Sequence, residues 1–255
     1  MTESLYYETT GGRVHALRFG QGKSLLIALH GYSDQARMFL NLGKFYTDSF
    51  TVVAIDLPFH GQTVWHKRDF TPQDFFEIFA QILEKEGVAK YSLLGFSFGA
   101  RLALALLPNC FSQLEQLFLH APDGLKTQGM GLATRTPIWL RSWLFRRIKN
   151  PARLAPIIRL GQSFGLISPT IHRFLNNQWR NPARLQRAFG CWLALGNFRF
   201  RKSEIRRILQ KSKLPTAVFI GLNDPLISYT FVQAFFADLP QVEVHVKPGG
   251  HELFD

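Results

Sequence analysis

The pentapeptide Gly95-Phe96-Ser97-Phe98-Gly99 gives the clearest indication of the fold of this chain. The apolar run 91–94 precedes it, and residues 100–107 after it have helical spacing. A serine between two glycines at a junction from strand to helix is typical of a nucleophile elbow, the sharp turn that exposes a reactive hydroxyl. The glycines let neighbouring backbone approach closely, and the N-terminus of the helix favours developing negative charge. We therefore predict that Ser97 is a nucleophile.

Eight short segments around this stretch have the composition of β-strands. The first two alternate apolar and polar residues around Gly11-Gly12, which indicates a hairpin. The next three are almost continuously apolar, as in strands buried on both faces of a parallel sheet. The predicted strands are 5–9, 14–19, 25–29, 52–55, 91–94, 117–119, 217–220 and 242–246. Segments with helical spacing lie between them, at 35–46, 72–86, 100–107 and 229–237. This order predicts an α/β fold with a mostly parallel eight-stranded sheet and helices on both faces.

The alternation of strands and helices stops after the sixth predicted strand. Residues 122–213 contain no clear strand, and four parts of this segment have helical spacing. Those parts are 136–148, 151–160, 170–177 and 181–195. We interpret 122–213 as a helical lid inserted into a core that consists of 1–121 and 214–255.

The positive charge of the chain is concentrated in this lid segment. The formal net charge is +12, but residues 126–211 hold 18 of the 30 Lys and Arg and one of the 18 acids, which gives +17 there and −5 elsewhere. Such a charge fits a solubilising surface, a field that attracts an anionic substrate or an acidic carrier protein, or transient contact with an anionic membrane surface. Because no nucleic-acid-binding motif accompanies the charge, we do not expect a nucleic-acid partner.

The rest of the composition narrows the setting. Two cysteines, Cys110 and Cys191, do not form a disulfide framework or a zinc motif, and residues 1–10 lack the pattern of a secretory signal. No apolar run is long enough for a spanning helix. We expect a cytoplasmic protein whose chemistry needs no metal or organic cofactor.

Ser97 needs a base, and the sequence offers one with an orienting acid. Asp224 follows the seventh predicted strand in Gly221-Leu222-Asn223-Asp224-Pro225, and His251 follows the last strand in Pro248-Gly249-Gly250-His251. The carboxyl ends of parallel strands meet at one edge of the sheet, so these loops can bring the two side chains to Ser97. This order along the chain predicts a Ser-His-Asp triad.

An acyl-transfer site also needs two N–H donors for the oxyanion. The backbone of Phe98 should supply one, and the backbone of Tyr32, in the loop after the third predicted strand, the other. Around the bound substrate we place His30, Phe59 and Arg101. His30 is expected mainly to shape the loop that carries Tyr32.

These motifs, together with Asp56-Leu57-Pro58-Phe59-His60-Gly61, resemble the α/β-hydrolase superfamily over nearly the whole chain outside the lid. The resemblance implies that Ser97, Asp224 and His251 form the triad and that a lid follows the sixth strand. Phe59 departs from the family, in which glycine is common at this position. The implied activity is that of a serine hydrolase that cleaves a carboxylic ester or thioester, with a small-molecule acyl substrate that is anionic or bound to a carrier.

Two alternatives remain open on the sequence alone. Arg101, four residues after Ser97, resembles a position of the menaquinone-pathway synthase of 2-succinyl-6-hydroxy-2,4-cyclohexadiene-1-carboxylate, which uses the same triad as a lyase and an arginine to bind substrate carboxylates. The second alternative is a non-catalytic binder that docks through the basic lid.

Overall fold

The computed structural model describes residues 2–125, 184, 187, 190–191 and 193–251. In this part of the chain, nine strands form one sheet. They are β1 (Glu3–Thr9), β2 (Gly12–Gly20), β3 (Ser24–Leu29), β4 (Phe50–Ile55), β5 (Val64–Trp65), β6 (Tyr91–Phe96), β7 (Leu114–His120), β8 (Thr216–Gly221) and β9 (Val242–Lys247). All eight predicted strands are confirmed. The two-residue β5, which pairs with β2, was not predicted.

The sheet is mostly parallel, as predicted. Its strand order is β1-β2-β4-β3-β6-β7-β8-β9. Only the pairs that involve β2 are antiparallel, and the hairpin of β1 and β2 closes where Thr9 pairs with Gly12. From β4 to β9 every neighbouring pair is parallel, and every residue of β6 is buried. The loops after β3, β6, β7, β8 and β9 therefore leave the sheet at one edge.

Five α-helices have described bounds, and two 3-10 helices accompany them. The α-helices are α1 (Lys44–Ser49), α2 (Pro72–Glu86), α3 (Phe98–Cys110), α4 (Lys202–Ser212) and α5 (Tyr229–Phe236). The 3-10 helices are Ala36–Asn41 and Phe111–Gln113. α2 matches its prediction because its N-terminus has a capping box between Thr71 and Asp74 and it ends at left-handed Gly87.

The helix predicted at 35–46 is wrong. The structure has the 3-10 helix Ala36–Asn41 and then α1, because Leu42 and Gly43 are extended, with ψ of 134° and 163°. The apolar periodicity was real, since Phe39 and Tyr46 are both buried, but it belongs to two short helices.

α4 was not predicted, although it lies inside the segment assigned to the lid. It packs against α3, with Ile205 and Leu209 as its buried residues. The predicted helices 136–148, 151–160 and 170–177 lie outside the described residues. Of the predicted helix 181–195, residues 184, 187, 190, 191, 193 and 194 are helical. Among the described residues, no helix has the length and apolar character needed to cross a membrane.

Candidate active site

Ser97 occupies a strained turn between β6 and α3. Its φ of +51° and ψ of −111° lie outside the regions that residues with a side chain ordinarily adopt. Hydrogen bonds hold the turn on both sides. The Ser97 N–H donates to the His120 carbonyl at 2.8 Å, and the Ser97 carbonyl accepts from Asp123 N–H at 3.3 Å. The end of β7 therefore keeps the backbone of Ser97 in a conformation that it would not adopt alone.

The two glycines of the motif are required by close packing. A Cβ on Gly99 would lie 1.9 Å from the carbonyl oxygen of Leu29, and one on Gly95 would lie 2.4 Å from the Cα of Ala100. Any side chain at either position would push β3 or α3 away from the turn. The G-x-S-x-G spacing thus brings the turn of the serine against the end of β3, where the loop that carries Tyr32 begins.

The structure brings Ser97, His251 and Asp224 together. The Ser97 hydroxyl donates to Nε2 of His251 at 2.8 Å, and Nδ1–H of His251 donates to Oδ2 of Asp224 at 2.7 Å. The Asp224 carboxylate is fully buried, and its other oxygen accepts the backbone N–H groups of Leu226 and Ile227 at 2.8 and 2.9 Å. These bonds fix the carboxylate, which in turn fixes the ring and tautomer of His251. Such an arrangement can move a proton from serine to histidine.

The two predicted oxyanion donors are the backbone N–H groups of Phe98 and Tyr32. Phe98 is the first residue of α3, so its N–H has no acceptor within the helix. Tyr32 is half-buried and follows Gly31 in the loop after β3. A Cβ on Gly31 would lie 2.9 Å from the ring of Phe96, so this loop also packs closely on the end of β6. Phe98 directly follows Ser97, and the loop that carries Tyr32 begins at the same edge of the sheet; their role as oxyanion donors stays a prediction.

His30 is a scaffold residue in this geometry. It is completely buried, its Nδ1–H donates to the Gly31 carbonyl at 2.7 Å, and its Nε2 accepts from Leu57 N–H at 3.0 Å. Burial and the neighbouring His60 lower the pKa of His30 well below its usual value, so the ring is neutral. Because both ring nitrogens bind backbone, neither is available to a substrate, contrary to the predicted place of His30 among the substrate-binding residues.

Phe59 contacts two described residues of the segment that was assigned to the lid, Arg187 and Gly190. Its φ is +69°, in the left-handed region that favours glycine, which agrees with the family's usual residue here. A Cβ on Gly190 would lie 2.2 Å from the Phe59 ring, so the ring lies directly on that helical glycine. The carbonyl of Phe59 accepts from Nε of Arg187 at 3.2 Å. Phe59 therefore contacts the lid segment directly.

Arg187 is a candidate functional residue that the sequence analysis did not single out. Its charge acts on Tyr32, His30 and His60, and it helps to lower the pKa of His60, which burial brings to about 4. Among the described residues, no carboxylate lies within ion-pair distance of Arg187. Nothing in its local sequence distinguishes Arg187 from the other arginines of the segment.

Arg101 binds a protein carboxylate. Its Nη1 lies 3.2 Å from Oδ2 of Asp123, and the Arg101 side chain is only 11% exposed. Asp123 is the residue whose N–H binds the Ser97 carbonyl, so this ion pair connects α3 to the loop after β7. Asp123 was not singled out from the sequence, although its position just after a strand end was a usable signal. In the described part of the chain, no cluster of three or more His, Cys, Asp or Glu side chains could hold a metal ion.

The comparisons with known proteins agree with this fold. A family model of the alpha/beta hydrolase fold matches residues 24–255, nearly the whole chain. The chain belongs to the alpha/beta hydrolase family. Among curated proteins, it is 28% identical over 120 residues to the dihydrolipoyllysine-residue acetyltransferase component of an acetoin cleaving system from Cupriavidus necator. That match covers 47% of this chain and 32% of the relative, so it concerns about a third of the longer protein.

Two solved structures, one of a thioesterase domain and one of an esterase, have the same fold as this chain. The thioesterase domain from the curacin biosynthetic pathway is 17% identical with a TM-score of 0.66, and the match covers 100% of this chain and 95% of that domain. An esterase from Exiguobacterium antarcticum is also 17% identical, with a TM-score of 0.65 and coverage of 99% and 94%. At this identity the likeness shows a common fold that extends over the complete chain.

Proposed function

We propose that this alpha/beta hydrolase cleaves a carboxylic ester or thioester through a Ser97-His251-Asp224 triad and an acyl-enzyme. The observation that carries the proposal is the relay of 2.8 Å from Ser97 to His251 and 2.7 Å from His251 to Asp224, on a strained turn that opens a helix. A serine hydroxyl is a weak nucleophile without such a base. The esterase and thioesterase named above, which share the fold, support the same class of reaction.

The proposed mechanism follows from the hydrogen bonds. His251 takes the proton of Ser97 as the serine oxygen attacks the acyl carbon, and the N–H groups of Phe98 and Tyr32 bind the oxyanion. The protonated His251 then gives its proton to the leaving alcohol or thiol. In the second half of the reaction, His251 removes a proton from water as the water oxygen attacks the acyl carbon. His251 then returns this proton to the Ser97 oxygen as its bond to the acyl carbon breaks and the acid leaves. Asp224 stays ionised and stabilises the imidazolium.

We further propose that the preferred acyl substrate is anionic or bound to a carrier. Arg187 supports this preference because it brings to Phe59 a cation that has no carboxylate partner among the described residues, and its charge acts on Tyr32. The net charge of +17 over residues 126–211 would attract such a substrate, or an acidic carrier protein, to this protein. Transient membrane contact and the cytoplasmic location stay predictions.

The lyase and binder alternatives have no specific observation in their favour. The lyase alternative depended on Arg101, which here is paired with Asp123 and only 11% exposed. A binder that had lost catalysis would have no use for an ordered relay between three polar side chains.

A panel of acyl p-nitrophenyl esters and acyl thioesters tests the function. We expect turnover by the wild-type protein and a loss of at least about a thousandfold in kcat for Ser97→Ala, with unchanged folding by circular dichroism. Turnover that survives in the Ser97→Ala variant would sink the proposal. So would a wild-type protein that hydrolyses none of these compounds.

A further inference from the structure

β9 is the edge strand of the sheet, opposite β1. Its odd-numbered side chains share one face: Glu243 pairs with His245 at 3.3 Å, and the His245 ring stacks on Phe219. Its even-numbered side chains face α5, where Val242 and Val244 help to line a groove of about 420 Å³. The Glu243 side chain is 76% exposed and Val246 is 36% exposed, so the strand lies open at the surface.

The backbone shows which residues of β9 can pair outward. The carbonyls of Gln241 and Lys247 accept N–H groups at the two ends of β8, from Thr216 and Leu222, so the odd-numbered residues direct their polar groups inward. In a strand, the even-numbered residues then direct theirs outward. The Val242 N–H is already donated to the Leu239 carbonyl at 2.9 Å, and Pro248 has no N–H. The outward donors of this strand are therefore those of Val244 and Val246.

A second copy of the chain matches this pattern of donors. In a two-fold antiparallel pairing with His245 opposite His245, Val244 lies opposite Val246 and each such pair exchanges two hydrogen bonds. The next pair would join Val242 to Pro248, neither of which has a free N–H donor. The hydrogen bonds between the two copies are therefore limited to the pairs of Val244 and Val246. If the register were shifted so that Val244 lay on the two-fold axis instead, Val242 would have to pair with Val246 of the other copy, but the N–H of Val242 is already donated to Leu239. The opposite shift would use Pro248.

The charges agree with the same register, because Glu243 of each copy lies opposite Lys247 of the other, on one face. We propose that two copies of this chain associate through β9 in this register and form one continuous sheet. The second copy's Val246 would then lie beside Val244 and extend the apolar lining of the groove at α5. A two-fold interface requires a self-complementary strand, and this sequence is self-complementary in charge, size and donor positions.

Charge reversal tests this interface without touching the active site. Sedimentation velocity over a range of concentrations should show a dimer for the wild-type protein. Glu243→Lys or Lys247→Glu alone should weaken dimerisation roughly tenfold or more, because like charges then face each other twice. A 1:1 mixture of these two variants should form a heterodimer, because the two lysines of one strand then lie opposite the two glutamates of the other. The double variant should dimerise as the wild type does.

A cysteine pair tests the register. Opposed residues at the axis have Cα atoms about 4.5 Å apart, so His245→Cys should cross-link two chains on mild oxidation. Val244→Cys should not, because its copies are about 7–8 Å apart. Cys110 and Cys191 are buried and do not compete. The proposal would be overturned if the wild-type protein stayed monomeric or if charge reversal left dimerisation unchanged. Cross-linking through residue 244 in place of 245 would also overturn it. None of these results bears on ester hydrolysis.

Discussion

Gly221 lies against the backbone of Gly250, so closely that a Cβ on Gly221 would be 1.9 Å from the Gly250 carbonyl oxygen. Gly221 ends β8, three residues before Asp224, and Gly250 directly precedes His251. Backbone bonds join the same two loops, with Asn223 N–H donating to the Gly249 carbonyl at 3.0 Å. The distance of 2.7 Å between the acid and the histidine therefore depends on a backbone contact that only glycine permits.

We predict that Gly221→Ala misplaces the acid relative to the base. A displacement of about 1 Å in a catalytic group can cost about a hundredfold in rate, so kcat should fall by roughly that factor. Gly250→Ala is the matched control, because a Cβ there meets nothing within 4 Å. Kinetics of both variants on one p-nitrophenyl ester provide the measurement. Equal activity in the two variants would show that the contact does not position the triad.

A second Ser-His-Asp array provides a sharper test of Ser97. The Ser4 hydroxyl lies 3.3 Å from Nε2 of His15, whose Nδ1–H donates to Asp56 at 2.7 Å. Ser4 is the second residue of β1 and pairs with Leu17, so it has neither the strained turn nor the helix N-terminus of Ser97. We predict that a fluorophosphonate probe labels Ser97 and not Ser4. By mass spectrometry, Ser97→Ala should lose the label and Ser4→Ala should keep it; a label on Ser4 would contradict the prediction.

The proposed preference for anionic substrates predicts a selective effect of Arg187→Gln. For a p-nitrophenyl ester whose acyl chain ends in a carboxylate, kcat/KM should fall roughly 10- to 100-fold, the value of one charge-assisted hydrogen bond. The neutral ester of equal length should change little. Arg184→Gln, at an exposed helical position three residues earlier, is the control.

The carrier-bound alternative is separated by a second pair of substrates. An acyl thioester of coenzyme A and its neutral pantetheine fragment differ in the phosphates of the leaving group. If Arg187→Gln reduces only the reaction of the coenzyme A ester, the arginine binds the leaving group. Equal losses on charged and neutral compounds would mean that Arg187 acts only through the structure.

Buried neutral histidines should make stability depend on pH. Burial lowers the pKa of His60 to about 4 and that of His120 to about 3. The unfolded chain therefore binds more protons, and stability that is complete above the ordinary pKa of about 6.5 is lost as pH falls towards 4. Each group contributes about 1.4 kcal/mol per pH unit in that window. The free energy of unfolding in urea should be measured between pH 7.5 and 5. Its decrease per pH unit should be smaller in His60→Asn than in the wild type and unchanged in His66→Asn, because His66 is exposed. Equal slopes in all three proteins would contradict this account.

Much of the fold was predictable because its signals are local. The eight strands are short apolar or alternating runs, and α2 has its cap and its terminating glycine in adjacent sequence. The prediction of one helix at 35–46 was wrong because a periodic apolar pattern does not show where the backbone becomes extended, as it does at Leu42. α4 was missed although Ile205, Ile208 and Leu209 have the i, i+3, i+4 spacing of an amphipathic helix, so its sequence did carry a usable signal.

The candidate residues of the site were visible in the sequence, because Ser97, Asp224 and His251 each follow a recognisable strand. The partners that these and neighbouring residues have in distant parts of the chain depend on the tertiary structure. Arg101 pairs with Asp123, His30 uses both ring nitrogens for backbone, and Arg187 binds the carbonyl of Phe59. The physical reason is that a motif depends on local backbone conformation, whereas an ion pair or a close backbone contact depends on how whole elements pack. No local pattern distinguishes one arginine from another until that packing exists.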